Sequence, residues 1–181
     1  MKRLLLAAAA SLALAACTTA TPYQPLATRG AVTGGYSEIR VTPDRFRVTF
    51  SGNTLTSRET VERYLLFRAA EVTLAEGHDW FALADRHTDR QSRTYVDRDP
   101  FGYGMWRPTW HYLGRGRWVL WDPWGPSRFW ADDIDVRQVD RYEATAEIFL
   151  GRGPKPANDP SAFDAREVIK NLGPSIVRPT P

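Results

Sequence analysis

The chain has 181 residues, with 24 Lys and Arg against 21 Asp and Glu, 43% hydrophobic residues and a single cysteine. So balanced a charge supports no nucleic-acid partner, and one cysteine excludes an intrachain disulfide, so the fold must rest on its core. The length suffices for one domain with a sizeable core, and no internal repeat divides it.

The first element is MKRLLLAAAASLALAAC, in which Lys2 and Arg3 precede an apolar or small run from Leu4 to Ala16. That run is shorter than the about 20 apolar residues of a spanning helix, and residues 1–16 read as a signal peptide. It ends in Leu14-Ala15-Ala16-Cys17, which resembles the lipobox of bacterial lipoproteins, and Cys17 is the sole cysteine. The resemblance implies that Cys17 is diacylated on sulfur, becomes the mature N-terminus, and is usually acylated on its amino group as well. Each buried CH₂ contributes roughly 0.8 kcal/mol and one chain binds only marginally, so two or three chains make a lasting membrane anchor. Thr18, rather than Asp, follows the cysteine. In lipoprotein sorting this implies the inner leaflet of the outer membrane, with the domain facing the periplasm. Cleavage removes Lys2 and Arg3 and no acid, leaving 22 basic against 21 acidic residues and a net charge of +1.

Residues 17–35 continue as TTATPYQPLATRGAVTGG after the cysteine, rich in Thr, Pro, Gly and Ala with no periodic apolar face. They read as a flexible tether with an r.m.s. reach of about 25 Å. Within them, Pro22-Tyr23-Gln24-Pro25 stiffens the backbone around one aromatic ring, which is either docked on the domain or solvated. A domain over residues 36–173 follows, then a tail over 174–181.

In Glu38-Ile39-Arg40-Val41 and Arg45-Phe46-Arg47-Val48-Thr49-Phe50, apolar and polar residues alternate. The pattern predicts a hairpin that buries Ile39 and Val41 opposite Phe46, Val48 and Phe50. A long helix is predicted from Thr56 to Glu76, with Thr56 capping it, Glu59 completing a capping box and Gly77 ending it. Val61, Leu65, Val72 and Ala75 fall on one face, and Leu66, Phe67, Ala70 and Leu74 on another. A helix apolar on both sides needs two covers. Asp79 to Arg86 reads as a third strand.

The insert over residues 101–130 holds Trp106, Trp110, Trp118, Trp121, Trp124 and Trp130, broken by Gly and Pro and interleaved with Arg107, Arg115, Arg117 and Arg128. Such rings suit a lipid interface, the faces of sugars or a protein hot spot, and they equally suit the core. A short strand at Trp118–Trp121 divides its members between two faces. Trp106, Trp110, Trp124, Arg128 and Trp130 are the candidate binding surface. Trp124, between prolines, is the first choice for exposure.

Alternation returns from Arg137 to Leu150 as a long strand with Glu143, Thr145 and Glu147 on its polar face. A short helix runs from Ala165 to Leu172, capped by Asp164, with Glu167 closing a box, Phe163 and Val168 forming a staple and Gly173-Pro174 stopping it. The order predicts an α+β fold, an antiparallel sheet of about four to six strands carrying one long helix and a short C-terminal helix. That second helix is available as the missing cover.

Several stretches together, TPYQP, GYSEIRV with RFRVTFSGN, RETVERYLLFRAAEVTLAEGHDWF, RYEATAEIFLG and FDAREVIKNLGP, resemble a family of small uncharacterised bacterial lipoproteins. The resemblance covers nearly all of the mature chain. It implies the envelope address and a single domain, and it carries no activity, substrate or catalytic residue.

No GxSxG, HExxH, GxxxxGK[ST] or GxGxxG occurs. His78, His87 and His111 lack metal-ligand spacing, and Asp132, Asp133, Asp135 and Asp140 lack the glycine and terminal glutamate of an EF-hand loop. Glu62 with Glu71, or Glu143 with Glu147, can be imagined as a general acid and base, though such spacings occur on the surface of any soluble domain. No cofactor is expected. The functional expectation is a non-enzymatic, membrane-anchored periplasmic lipoprotein that binds or scaffolds envelope components. The alternatives are a glycan-binding module working through the tryptophans, and a hydrolase with an unrecognised site.

Overall fold

Alternating sequence gives strands, and the antiparallel registers decide which of their faces meets the helix. In a computed structural model, which describes residues 19–83, 106, 108–114, 116–121 and 139–179, the first two strands are β1 (Gly35–Thr42) and β2 (Arg45–Ser51). The helix α1 (Arg58–Ala75) follows, then β3 (Trp80–Leu83), β4 (Thr109–Gly114), β5 (Arg117–Trp121), β6 (Val139–Gly151), β7 (Ala162–Asp164) and α2 (Ala165–Leu172). The pairings among these strands are antiparallel, in the order β1-β2-β6-β3-β7, with β4 also on β6 and β5 on β4. This is an α+β fold with, among the described residues, a seven-stranded sheet, to which the three-residue β7 contributes a strand too short to leave an alternation in sequence.

The 13-residue β6 organises the sheet. Along one edge it pairs with β2, while the other edge is shared, β4 taking Val139 to Thr145 and β3 taking Ile148 to Gly151. Phe46, Val48 and Phe50 pair with Ile148, Ala146 and Ala144, and all six are buried under α1.

The hairpin corrects one expectation. Tyr36, Glu38 and Arg40 lie opposite Phe50, Val48 and Phe46, so these three share the inner face, while Ile39 pairs with Arg47 on the outer face and is 62% exposed. Val41 is 43% exposed. The inner positions of this edge strand reach past the end of the core and pair with the helix instead, Glu38 with Arg68 and Arg40 with Glu76. Alternation shows that a strand has two faces, but pairing chooses which one is buried.

Helix α1 starts one residue later than predicted. Ser57, extended at φ −66° and ψ 153°, accepts the Thr60 N–H at 3.1 Å. With Ser57 as cap, Thr60 rather than Glu59 occupies the third helical position, so the box is replaced by a Ser57–Thr60 hydroxyl contact of 2.9 Å. The other end is as expected. Gly77, at φ +71°, donates to Leu74, and His78 donates to Thr73, the two bonds of a Schellman motif.

The two apolar faces of α1 do receive two covers. The sheet is one, and α2 with the segments at residues 21–25 and 176–178 forms the other. Asp164 caps α2 by accepting the Glu167 N–H at 3.0 Å, and Ala165, Val168 and Leu172 are buried. Among the described residues no helix is long and apolar enough to cross a membrane.

Asp79 fastens α2 to the sheet. Its carboxylate accepts from Arg166 Nη1 at 2.8 Å and from the Gly153 N–H at 2.8 Å, and its carbonyl accepts the Ala165 N–H at 3.0 Å. The Arg166 hydrogen bond, with help from Gly153, holds this carboxyl below the usual carboxylate range. The folded state thus keeps Asp79 ionised to lower pH than the unfolded chain, whose carboxyl titrates near about 3.9. The contribution is present above that range and is lost as pH falls through it toward the lower folded value. Asp79→Asn is expected to lower Tm at pH 7 and to converge on the parent as pH is taken below the carboxylate range, measured by thermal unfolding as a function of pH.

Candidate functional site

Two regions of the described structure go beyond simple packing. The first is the docked N-terminal segment. Thr21 and Tyr23 are 1% and 2% exposed, which corrects the expected flexible tether: within residues 17–35 the chain is bound to the domain from Thr19 onward. The Thr19 carbonyl accepts from Asn53 Nδ2 at 2.8 Å, Thr21 N–H donates to the Thr56 hydroxyl at 2.9 Å, and the Thr21 hydroxyl accepts the Asn53 N–H at 2.9 Å. Thr56, predicted as a helix cap, is thereby used by this clamp.

Tyr23 stands with its ring 4.8 Å from Tyr36, 5.6 Å from Tyr64 and 5.2 Å from Phe67, the last two edge-on. Its hydroxyl donates to Glu71, which also accepts from Arg68 at 2.8 Å and Arg178 at 3.2 Å. Burial, then the Glu71 carboxylate, pushes the phenol well above the ordinary tyrosine range. The Tyr23 N–H donates to the Val177 carbonyl at 2.7 Å, so the expected C-terminal tail is docked at Val177. Gly35, at φ +129°, makes room for this segment, since a Cβ there would stand 2.4 Å from the Gln24 carbonyl oxygen.

The second region is the sheet face opposite α1. Along its middle runs a polar strip. Arg45 and Arg47 each reach Glu147 at 3.4 Å, the Thr49 and Thr145 hydroxyls meet at 3.1 Å, and the Ser51 hydroxyl donates to Glu143. Exposed apolar side chains flank the strip: Ile39, Val41 and Phe149 toward β1 and β3, and Trp118 (47%) with Leu120 (61%) on β5. His111 is the cross-strand neighbour of Glu143 and of Leu120, and its Nδ1 is buried with no hydrogen-bond partner among the described residues.

The candidate binding surface read from sequence is only partly described. Trp106 and Trp110 are not surface residues: they are 5% and 0% exposed. Trp106 meets Phe81 at 6.2 Å and Phe163 at 5.8 Å, edge-on to both, and Trp110 meets Tyr142 edge-on at 6.4 Å. Trp110 takes the inner face because it pairs with the buried Ala144, and Trp106 reaches the core by packing on Phe81 and Phe163. Cys17, Trp124, Arg128, Trp130, His87 and the Asp132–Asp135 cluster lie outside the described residues. Among the described residues of the insert, the large apolar side chains that are exposed are Trp118 and Leu120. The alternation of Arg117 to Trp121 already divided this strand between two faces.

Chemically, neither carboxylate pair forms a dyad. Glu143 and Glu147 lie four residues apart on one strand, roughly 13 Å at about 3.3 Å per residue, beyond the about 5–9.5 Å of paired catalytic carboxylates. Glu62 and Glu71 lie nine residues apart on α1, also roughly 13 Å at 1.5 Å per residue. Among the described residues no group of three or more His, Cys, Asp or Glu could hold a metal ion. Comparison with protein-family models, with curated proteins and with solved structures finds no match to this chain.

Proposed function

We propose that this protein is a lipoprotein acylated on Cys17 and held at the outer membrane facing the periplasm, where it binds or scaffolds envelope components without catalysing a reaction. The observation that carries the binding role is the sheet face opposite α1. A polar strip of matched Arg, Glu and Thr is bordered by exposed Trp118, Leu120, Ile39 and Phe149. Aromatic anchors beside arginines are the composition of interface hot spots.

The double variant Trp118→Ala, Leu120→Ser tests it. Crosslinking in intact cells is expected to lose its protein adducts while the variant keeps its parent Tm; adducts that persist unchanged remove this face as the partner surface. Trp118, exposed on the same face of the β4–β5 ribbon as His111, supports a glycan as the second reading. Fluorescence titration with muropeptides tests it, and a flat response to millimolar concentration excludes it.

The anchor is tested separately. Cys17→Ser is expected to abolish acyl labelling and to move the protein from the membrane to the soluble fraction. A variant that remains membrane-bound overturns the lipobox reading.

A further inference from the structure

The clamp leaves almost no chain between the acylated residue and the folded domain. Cys17 lies two residues before Thr19, whose carbonyl is already bound by Asn53, and four before Thr21, which is 1% exposed. A chain spans at most roughly 3.6 Å per residue, so Cys17 is within roughly 7 Å of Thr19 and about 15 Å of Thr21 whatever path it takes. A lipid on Cys17 therefore brings one definite corner of the domain to the bilayer.

That corner is the end of the β1–β2 ladder, where β2 stops, β1 starts and the chain turns into α1. Gly35 pairs with Ser51 there, and the turn of residues 28–33 between bridged Ala27 and Gly34 extends beyond it, tied back by the Thr21 hydroxyl on the Thr33 carbonyl at 2.8 Å. The surface it presents is suited to lipid. Leu55 is 52% exposed, Arg29, Gly30 and Ala31 are exposed, and residues 19–33 and 53–57 contain Arg29 and no acidic residue. A bilayer with anionic headgroups attracts such a patch, and an exposed leucine inserts at its boundary.

We propose that this corner, residues 19–20, 28–33 and 53–55, rests on the phospholipid headgroups, so that the domain stands directly on the bilayer instead of hanging from a tether. The proposal rests on the acylation of Cys17. It places the opposite end of β6 away from the membrane: Gly151 lies nine residues beyond Tyr142, whose carbonyl binds the Gly52 N–H, or roughly 30 Å along the strand.

The test uses the full acylated protein in vesicles of phosphatidylethanolamine and phosphatidylglycerol carrying a nitroxide lipid. Single thiols are introduced as Thr54→Cys or Ala31→Cys at the corner and Ala157→Cys in the exposed loop beyond Gly151, and each is labelled with a fluorophore, Cys17 being blocked by its thioether. The two corner positions guard against one variant misfolding. The expected result is quenching several-fold stronger at 54 and 31 than at 157. Equal quenching at all three positions on acylated, vesicle-bound protein overturns the orientation alone. An N-terminal peptide whose mass shows no acyl chain overturns the anchor and this proposal with it.

Discussion

Tyr23→Ala is expected to destabilise the domain by about 3–5 kcal/mol, the range for truncating a buried aromatic residue. The ring is 2% exposed among Tyr36, Tyr64 and Phe67, and Arg178 lies 5.1 Å over its face, so its removal leaves a cavity that these rings cannot close without moving the sheet edge or α1. Domains are stable by only about 5–15 kcal/mol, so the loss is a large share of the total. Urea unfolding measures it, and a loss within about 0.5 kcal/mol, as at ordinary surface positions, shows that residues 19–26 are a tether after all.

Tyr23→Phe separates the ring from its hydroxyl. It removes a hydrogen bond to an ionised carboxylate, a loss of about 1.5–3 kcal/mol by analogy with other charged hydrogen bonds, reduced because Glu71 keeps Arg68 and Arg178. The pH dependence has a definite sign. The folded state holds the Tyr23 proton above the ordinary range, so the stabilisation is complete below the unfolded value of about 10 and is lost as pH rises through it toward the folded value. The Phe variant lacks this group. The stability gap between parent and Tyr23→Phe is therefore expected to narrow above about pH 10.

Trp110→Ala is expected to cost a similar about 3–5 kcal/mol, for a different reason. Trp110 is wholly buried where β4 meets β6, against Tyr142 and beneath the Arg58 guanidinium, which lies 5.5 Å over a face of the indole. Its truncation loosens the joint between β4 and β6, and with it the ribbon that displays Trp118. Trp118→Ala, at a side chain 47% exposed, is expected to change stability by about 0.5 kcal/mol or less. Thermal unfolding of the two variants side by side checks the division of the insert between core and surface. Equal losses at both positions refute it.

Much of the fold was legible because its signals are local. Asp164, three residues before Glu167, caps a helix wherever that helix packs, and Gly77 ends α1 because a positive φ costs glycine little. The alternation in Arg45–Phe50 and from Tyr142 to Ile148 marked strands that the sheet then used with that same buried face. The two-sided apolar pattern of α1 also required a second cover, though not the identity of all its parts.

The site was less legible, since its residues are joined by contacts with no local signature. Trp106, Trp110 and Trp118 share one Gly- and Pro-broken composition, and only pairing to Ala144 and packing on Phe163 put two of them inside and left the third exposed. The alternation of Glu38 and Ile39 favours Ile39 inside, and only the register that sets Glu38 against Val48 turns Ile39 outward.

By itself, the sequence determined the α+β class, the strands β2 and β6 and the helix ends marked by Gly77 and Asp164, because capping and periodicity act within a few residues. Only the tertiary structure decided that a Pro- and Thr-rich leader is part of the core. The reason is that Tyr23 finds its partners 13 to 154 residues away, at Tyr36, Tyr64, Phe67, Glu71 and Val177, and no local pattern encodes a cavity formed at that range.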